Sequence, residues 1–507
     1  MTEKITGSLT ALRLGHVGFE LHEKLQPHTA DGRRSGDGGK DVICSASTLS
    51  RCLNVPDWAP ARSGVRRRLC AATQISKTKV AKKNIVIIRY LIALNPSFAR
   101  KVNNVEEFTY MKFLKSFCKI MDFWPEREEK NSKTRIFRLR YILVLQFCFT
   151  LVAGVLYLTN SVGKQTFYDL GHTIITVLMN VVSVSRLILR CFKKYDVVGQ
   201  QFINKIHLYH YRNDSEYAMK IHTVVHKISH NMTYIFSFCI IFGTVTFNLT
   251  PIFNNIGSGA YKNPRPDNVT LQQCVYYALP FDYTGDFKWY LLVAIFNVQK
   301  TFFCTSLFIL FELSLSLMII CLWGHLRIFI HNLNHIPAPR NSLEYTKEER
   351  QEVDDTLKKC IQHHTLIIGF VRIMSETYGL AVLIYYAFQQ VVGCLLLLQC
   401  SQMELKTVTR FGFLTLVLNQ QLIQISVIFE LLGYMSDKLQ DAVYCVPWEY
   451  MDTSHRKMVY MMFRQSQIPL QLKAMNMLSI GVKTMVSILK TSVTYYLILK
   501  TVTTDEA

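Results

Sequence analysis

Charged residues make up only 18% of this 507-residue chain, against about a quarter in soluble globular proteins. Apolar side chains fill the difference. They account for half of all residues, and they come in runs of the roughly 20 residues that cross a bilayer core about 30 Å thick. No P-loop, GxSxG or HExxH pattern occurs, and no zinc-finger spacing or CxxC pair, so neither an enzyme nor a cofactor or metal site is expected. The 14 cysteines follow no regular spacing. Several, such as Cys148, Cys239, Cys304 and Cys321, lie inside apolar runs and read as small buried apolar residues. His363 and His364 are adjacent, so they point to different helix faces and make a poor metal pair. The first thirty residues lack an apolar core followed by a cleavage site; the first spanning helix is expected to act as the insertion signal.

Acidic residues are also scarce, 36 against 57 lysines and arginines, for a formal net charge of +21. Such a balance suits a nucleic-acid ligand only if the charge forms a patch on a folded surface. Here much of it precedes Arg140, as in Arg66-Arg67-Arg68 and the cluster Lys77, Lys79, Lys82 and Lys83. Most of the remainder sits in loops between apolar runs, which suits anionic lipid and argues against nucleic acid. Residues 1–110 are polar, basic and turn-rich, a composition that favours disorder. Met111 opens the segment that leads into the apolar runs.

Seven spanning helices are predicted: 139–158, 170–189, 233–253, 289–323, 375–398, 411–432 and 468–502. The fourth is too long for the hydrocarbon core and must tilt or project. Pro469 and Gly481 are points at which the seventh divides. The loops after the second, fourth and sixth helices are rich in lysine and arginine, and so is the segment before the first. The alternate loops are poorer, with Lys164 alone in the first. The positive-inside rule then places the N-terminus in the cytoplasm and the C-terminus outside. The expected fold is an all-α, seven-transmembrane bundle. Its orientation is opposite to that of a G-protein-coupled receptor, and the chain lacks Asp-Arg-Tyr and Asn-Pro-x-x-Tyr at the relevant helix ends.

The run Ser487-Ile488-Leu489-Lys490-Thr491-Ser492-Val493-Thr494-Tyr495-Tyr496 is similar to the last helix of insect odorant receptors. Arg464-Gln465-Ser466-Gln467-Ile468-Pro469, Tyr444-Cys445-Val446-Pro447-Trp448, Gln362-His363-His364 and Gly324-His325-Leu326-Arg327 resemble further stretches of that family. The likeness runs from about Met111 to Thr503 and is most specific at the C-terminus. It implies a subunit of a tetrameric, odorant-gated cation channel. Its partners would be a volatile odorant, a shared co-receptor and the lipid of the plasma membrane, in the dendrite of an olfactory neuron. Gustatory receptor channels share the fold, but their last helix carries Gln-Phe where this chain has Thr501-Val502. The co-receptor also carries Gln at that point, so the resemblance favours an odorant-specific subunit. A transporter would show inverted repeats or paired broken helices, and none is evident.

The resemblance implies a closed gate at Ile498 and Val502, four residues apart and so on one helix face; both also suit ordinary lipid-facing or packing positions. It implies a ligand pocket in the outer half of helices two, three, four and six, with Met179, Gly243, Phe247, Phe296 and Asn419 as candidates by depth. For each of them taken alone, ordinary bundle packing is the favoured reading. Lys300, Glu312 and Glu430 lie at membrane depth, where charge is costly and faces protein or water. Lys300 either borders a cavity or pairs with a carboxylate inside the bundle, and the pairing is the favoured expectation. Asn268-Val269-Thr270 is a glycosylation sequon in a predicted outer loop.

Overall fold

A computed structural model describes residues 103–125, 133–165, 167–262, 265–266, 269–339, 344–401, 405–474 and 478–505. The described residues form ten α-helices. In chain order these are α1 (Thr109–Met121), α2 (Lys133–Ser161), α3 (Phe167–Leu189), α4 (Lys193–Gln201), α5 (Glu216–Gly257), α6 (Phe287–Asn334), α7 (Lys347–Cys400), α8 (Leu405–Tyr444), α9 (Thr453–Ser466) and α10 (Val482–Asp505). Two two-residue strands, β1 (Lys473–Ala474) and β2 (Leu478–Ser479), pair antiparallel between α9 and α10. Stretches within α2, α3, α5, α6, α7 and α8 are long and apolar enough to cross a membrane. Lys483, Lys490 and Lys500 dilute α10, whose 24 residues still reach about 36 Å.

The long helices outrun the apolar runs that announce them. α7 begins at Lys347 and not near Ser375, because Thr346 and Glu349 form a capping box that starts the helix well before its apolar part. α5 begins at Glu216, where the Ser215 hydroxyl accepts the Ala218 N–H at 3.0 Å. α6 spans 48 residues, about 72 Å, and starts behind the Asp286 cap. Nothing in the polar flanks breaks a helix, so each continues past the membrane-sized core of its pattern.

The seventh predicted helix is corrected. The described residues between 467 and 481 are not α-helical; α9 ends at Ser466, Pro469 follows, and the β1–β2 pair precedes α10. Proline has no N–H and disfavours helix in the residue before it. α10 then starts at Val482, whose N–H donates to the Glu430 carboxylate at 3.1 Å. Glu430 is thus an anion at a helix N-terminus, where the macrodipole favours it.

The boundary at residue 110 also shifts. Residues 1–102 lie outside the described residues, but a 3-10 turn at Val105–Glu107 precedes α1, and Val105, Phe108 and Tyr110 are buried. Phe108 stacks on Tyr110 and on His207. The folded unit therefore reaches back to about Asn103.

α6 is the central helix. Every residue from Ser306 to Leu326 is buried, packed against α1, α3, α5, α7 and α8. A nearby cluster of rings holds the loop between α4 and α5. His207 Nδ1 accepts the Tyr209 N–H at 3.2 Å, so its other nitrogen carries the proton and donates to Tyr110 Oη at 2.9 Å. His325 Nε2 donates to the Ile206 carbonyl at 2.6 Å, leaving Nδ1 to accept from His363 Nε2 at 2.9 Å. Burial, and then the neighbouring His222, His210, His226 and His325, hold His207 well below its ordinary pKa of 6.5.

The cysteines of the apolar runs divide. Cys321 is buried and Cys239 and Cys304 are half-buried, but Cys148 is exposed on α2. Burial depends on which helix face a neighbour covers, and the neighbours leave that face of α2 open.

Candidate functional site

Residues of α3, α5, α6 and α8 line a partly open cavity, whose 760 Å³ of atom-free space includes open solvent. Its walls are largely apolar: Met179 from α3, Ile240 and Phe247 from α5, Phe308 from α6, and Leu414 and Val417 from α8. Gly243 borders it as well. A Cβ there would lie 3.1 Å from Val417 Cγ2 and 3.3 Å from Phe413 Cε1, so the missing side chain lets α8 approach α5 closely.

The segment between α5 and α6 folds inward to close one side. Asn255 grips it twice, donating to the Gln272 carbonyl at 3.0 Å and accepting the Gln272 N–H at 2.8 Å. Asn297 Nδ2 donates to the Val275 carbonyl at 3.1 Å, and Val275 itself lines the cavity. The Tyr283 hydroxyl bridges both backbone groups of Tyr277. These bonds satisfy an irregular backbone that would otherwise be costly beside an apolar space.

Two buried cations stand close to the cavity. Lys300 borders it, is 4% exposed, and donates from Nζ to Tyr277 Oη at 3.1 Å. Arg186 stands behind the wall. Its guanidinium lies 3.9 Å from the Phe308 ring centroid and 4.4 Å from that of Phe311, and it pairs with Glu312 at 3.4 Å. Glu312 thus has its counter-ion on α3. The expected carboxylate partner for Lys300 is not found among the described residues; a tyrosine hydroxyl takes its place.

Of the candidate ligand residues, Met179, Gly243 and Phe247 come together around the cavity. Phe296 and Asn419 do not line it. Phe296 turns its ring edge-on to Tyr277 in a small cluster with Ala153 and Val293. Asn419 Nδ2 donates back to the Thr415 carbonyl of its own helix at 2.9 Å. Depth alone does not say which side of a helix faces a space. Phe308, Val275 and Gln421 line the cavity without having been singled out, since an inward phenylalanine and a lipid-facing one read alike in a uniformly apolar run.

Ile498 is 52% exposed. The backbone of Val502 continues α10, its side chain lies outside the described residues, and so does Asn268. α10 buries Ile488 and Ser492 against its neighbours. Ser492 Oγ donates to the Gln390 carbonyl at 3.3 Å, and Gly393 lies beside it, where a Cβ would come within 3.0 Å of that oxygen. The preceding residue of α7, Gln389, donates to the carbonyl of Leu418, a cavity-lining residue, at 3.1 Å and to Tyr385 Oη at 2.7 Å.

Residues 166–493 match the family profile described as seven-transmembrane odorant receptor. No curated protein matches the chain. Among solved structures, the fold is similar to the insect olfactory receptor OR5 from Machilis hrabei, with a TM-score of 0.63 at 12% identity over 77% of this chain and 97% of that one. The same receptor in complex with eugenol gives 0.62 at 12% identity, over 78% and 100%. At that identity the likeness is one of fold.

Proposed function

This chain belongs to the seven-transmembrane odorant receptor family, multi-pass membrane receptors and not enzymes, and on that premise we propose that it is the odorant-specific subunit of a ligand-gated cation channel. One observation carries the reading: adjacent residues of α7 bond the cavity wall and the last helix. Gln389 bonds the cavity wall at Leu418, and Gln390 bonds Ser492 of α10. A ligand that shifts α8 against α7 therefore shifts the support of α10. Coupling of this kind needs a packed element with two arrangements that the ligand biases.

In this reading the N-terminus is cytoplasmic and the C-terminus extracellular, as the loop charges require. Four subunits, some of them the co-receptor, surround one pore in the plasma membrane, and α10 lines it. Ser487, Thr491, Thr494 and Ile498 follow one another at spacings of four, three and four, on the side of α10 away from the buried Ile488 and Ser492. Ser487, Thr494 and Ile498 are exposed within the subunit. A stripe of hydroxyls ending in an apolar ring at Ile498 and Val502 suits a pore that dewets when closed. The cavity, mostly apolar, suits a small volatile molecule. Eugenol, bound by the Machilis receptor, is a ligand of that size class.

Current recording from the full chain expressed with the co-receptor tests this. Volatile-evoked cation current is expected only when both subunits are present. Ile498→Ser is expected to raise current in the absence of ligand, and Leu497→Ser to do so less. Normal surface expression with no ligand-evoked current would sink the channel reading.

A further inference from the structure

The walls of the cavity are apolar, yet a charge borders it. Among the described residues that line it, Lys300 alone is ionisable as a cation or an anion at ordinary pH. An ammonium has three N–H donors and no acceptor. One donor goes to Tyr277 Oη, a neutral oxygen, and no described carboxylate forms an ion pair with it. The nearby Arg186 is a useful contrast. It is equally buried, but it has Glu312 at 3.4 Å and two aromatic faces. The bundle thus provides an anion for the cation behind the wall and none for the cation beside the space.

We propose that the cavity takes a carboxylic acid, bound as its carboxylate on the Lys300 ammonium. The inference rests on reading this cavity as the ligand site. A buried cation at membrane depth is stabilised by an anion brought to it, because charge attraction is strong where water is scarce. One lysine with two remaining donors matches one carboxylate. It is too little for a phosphate or sulfate, which call for several donors. The apolar remainder, with Met179, Phe247 and Phe308, takes the hydrocarbon body. The ligand class is then a short- or medium-chain acid with one charged end. Tyr277 acts as a positioning residue: its hydroxyl holds Nζ, and the Tyr283 hydroxyl in turn fixes the Tyr277 backbone.

The test uses the full chain with its co-receptor and four probes of matched length: octanoic acid, methyl octanoate, octanal and 1-octanol. Octanoic acid is expected to evoke current at concentrations about tenfold or more below those of the neutral probes, the margin of a charge-assisted hydrogen bond. Lys300→Met is expected to lose that advantage while keeping the response to 1-octanol, and Lys300→Arg to retain it. Tyr277→Phe keeps the lysine but removes the hydroxyl that holds Nζ, so acid potency should fall while alcohol potency stays. It also serves if Lys300→Met fails to reach the surface. Neutral probes as potent as the acid in the wild type, or acid potency unchanged in Lys300→Met or in Tyr277→Phe, would overturn the proposal and leave the channel reading standing. Preference for octanal abolished by Lys300→Arg would overturn it in favour of an imine-forming aldehyde. Silence toward all four, and toward a broad panel of volatiles, would remove the channel reading and this inference with it.

Discussion

The two parts of α6 teach different things. From Phe287 to Phe303 the helix is covered on one side only, and Leu291, Leu292, Ile295, Val298 and Phe302 are exposed. From Ser306 to Leu326 it is covered on every side. Both parts are largely apolar, yet the first borders the cavity at Lys300 and Thr301, whereas the second reaches it at Phe308 and is otherwise core. A half-covered helix leaves room for a ligand and keeps packing loose enough to respond to one. A fully covered helix is a fixed support, since a close-packed interior resists deformation. The ion pair Arg186–Glu312 lies within the covered part.

That ion pair gives the largest expected effect. Arg186→Met leaves Glu312 buried without its cation, at a cost of about 3–5 kcal/mol. Thermal unfolding of the purified full chain should show it as a steep loss of melting temperature, partly recovered in the double variant Arg186→Met, Glu312→Leu. A loss in the double variant as large as in the single one would assign the effect to the rings of Phe308 and Phe311, not to the stranded charge.

Truncation comes next. A chain starting at Asn103 keeps Phe108 and Tyr110 against His207, and its melting temperature should stay close to that of the full chain. A chain starting at Met111 loses both rings, and with two buried aromatic residues gone it should lose several kcal/mol and most surface expression. Equal behaviour of the two would remove the support from the covered part of α6.

Within α6 itself, Leu317→Ala should cost about 2–5 kcal/mol, and Leu292→Ala within about 0.5 kcal/mol of nothing. Leu317 is fully buried and Leu292 is 54% exposed. Similar losses at both sites would show that a partner subunit covers Leu292.

Acid should produce the smallest effect, and its sign follows from His207. Its folded pKa is depressed below 6.5, so the folded state holds the neutral ring. The stability this contributes is present above about pH 6.5 and falls away as pH drops toward the folded value, by about 1.4 kcal/mol per unit for one proton. Protonation of Nδ1 would break its bond to the Tyr209 N–H. Melting curves between pH 7.5 and 5 should show the decline, and His207→Gln should make it shallower, leaving the share of the other buried histidines, His222, His226, His325, His363 and His364. An identical pH dependence in the variant would locate the titration elsewhere.

Most of the spanning helices were legible as apolar runs, because a bilayer demands an unbroken stretch of such residues whatever the rest of the chain does. Their polar extensions were not, since a capping box at Thr346 and Glu349 carries no hydropathy. The cavity was half legible. Met179, Gly243 and Phe247 were named from depth, whereas Phe296 and Asn419 share that depth and face elsewhere.

The sequence by itself determined the membrane class, the asymmetry of loop charge and the family pattern around Ser487–Tyr496, because each is a property of composition or of residues close together in the chain. Only the tertiary structure decided that Arg186 receives Glu312 while Lys300 receives a hydroxyl, and that Gln389 and Gln390 link the cavity to the last helix. Partners such as Arg186 and Glu312 are 126 residues apart. In helices that are apolar on nearly every face, periodicity does not mark the side that turns inward, so the choice of neighbour belongs to packing alone.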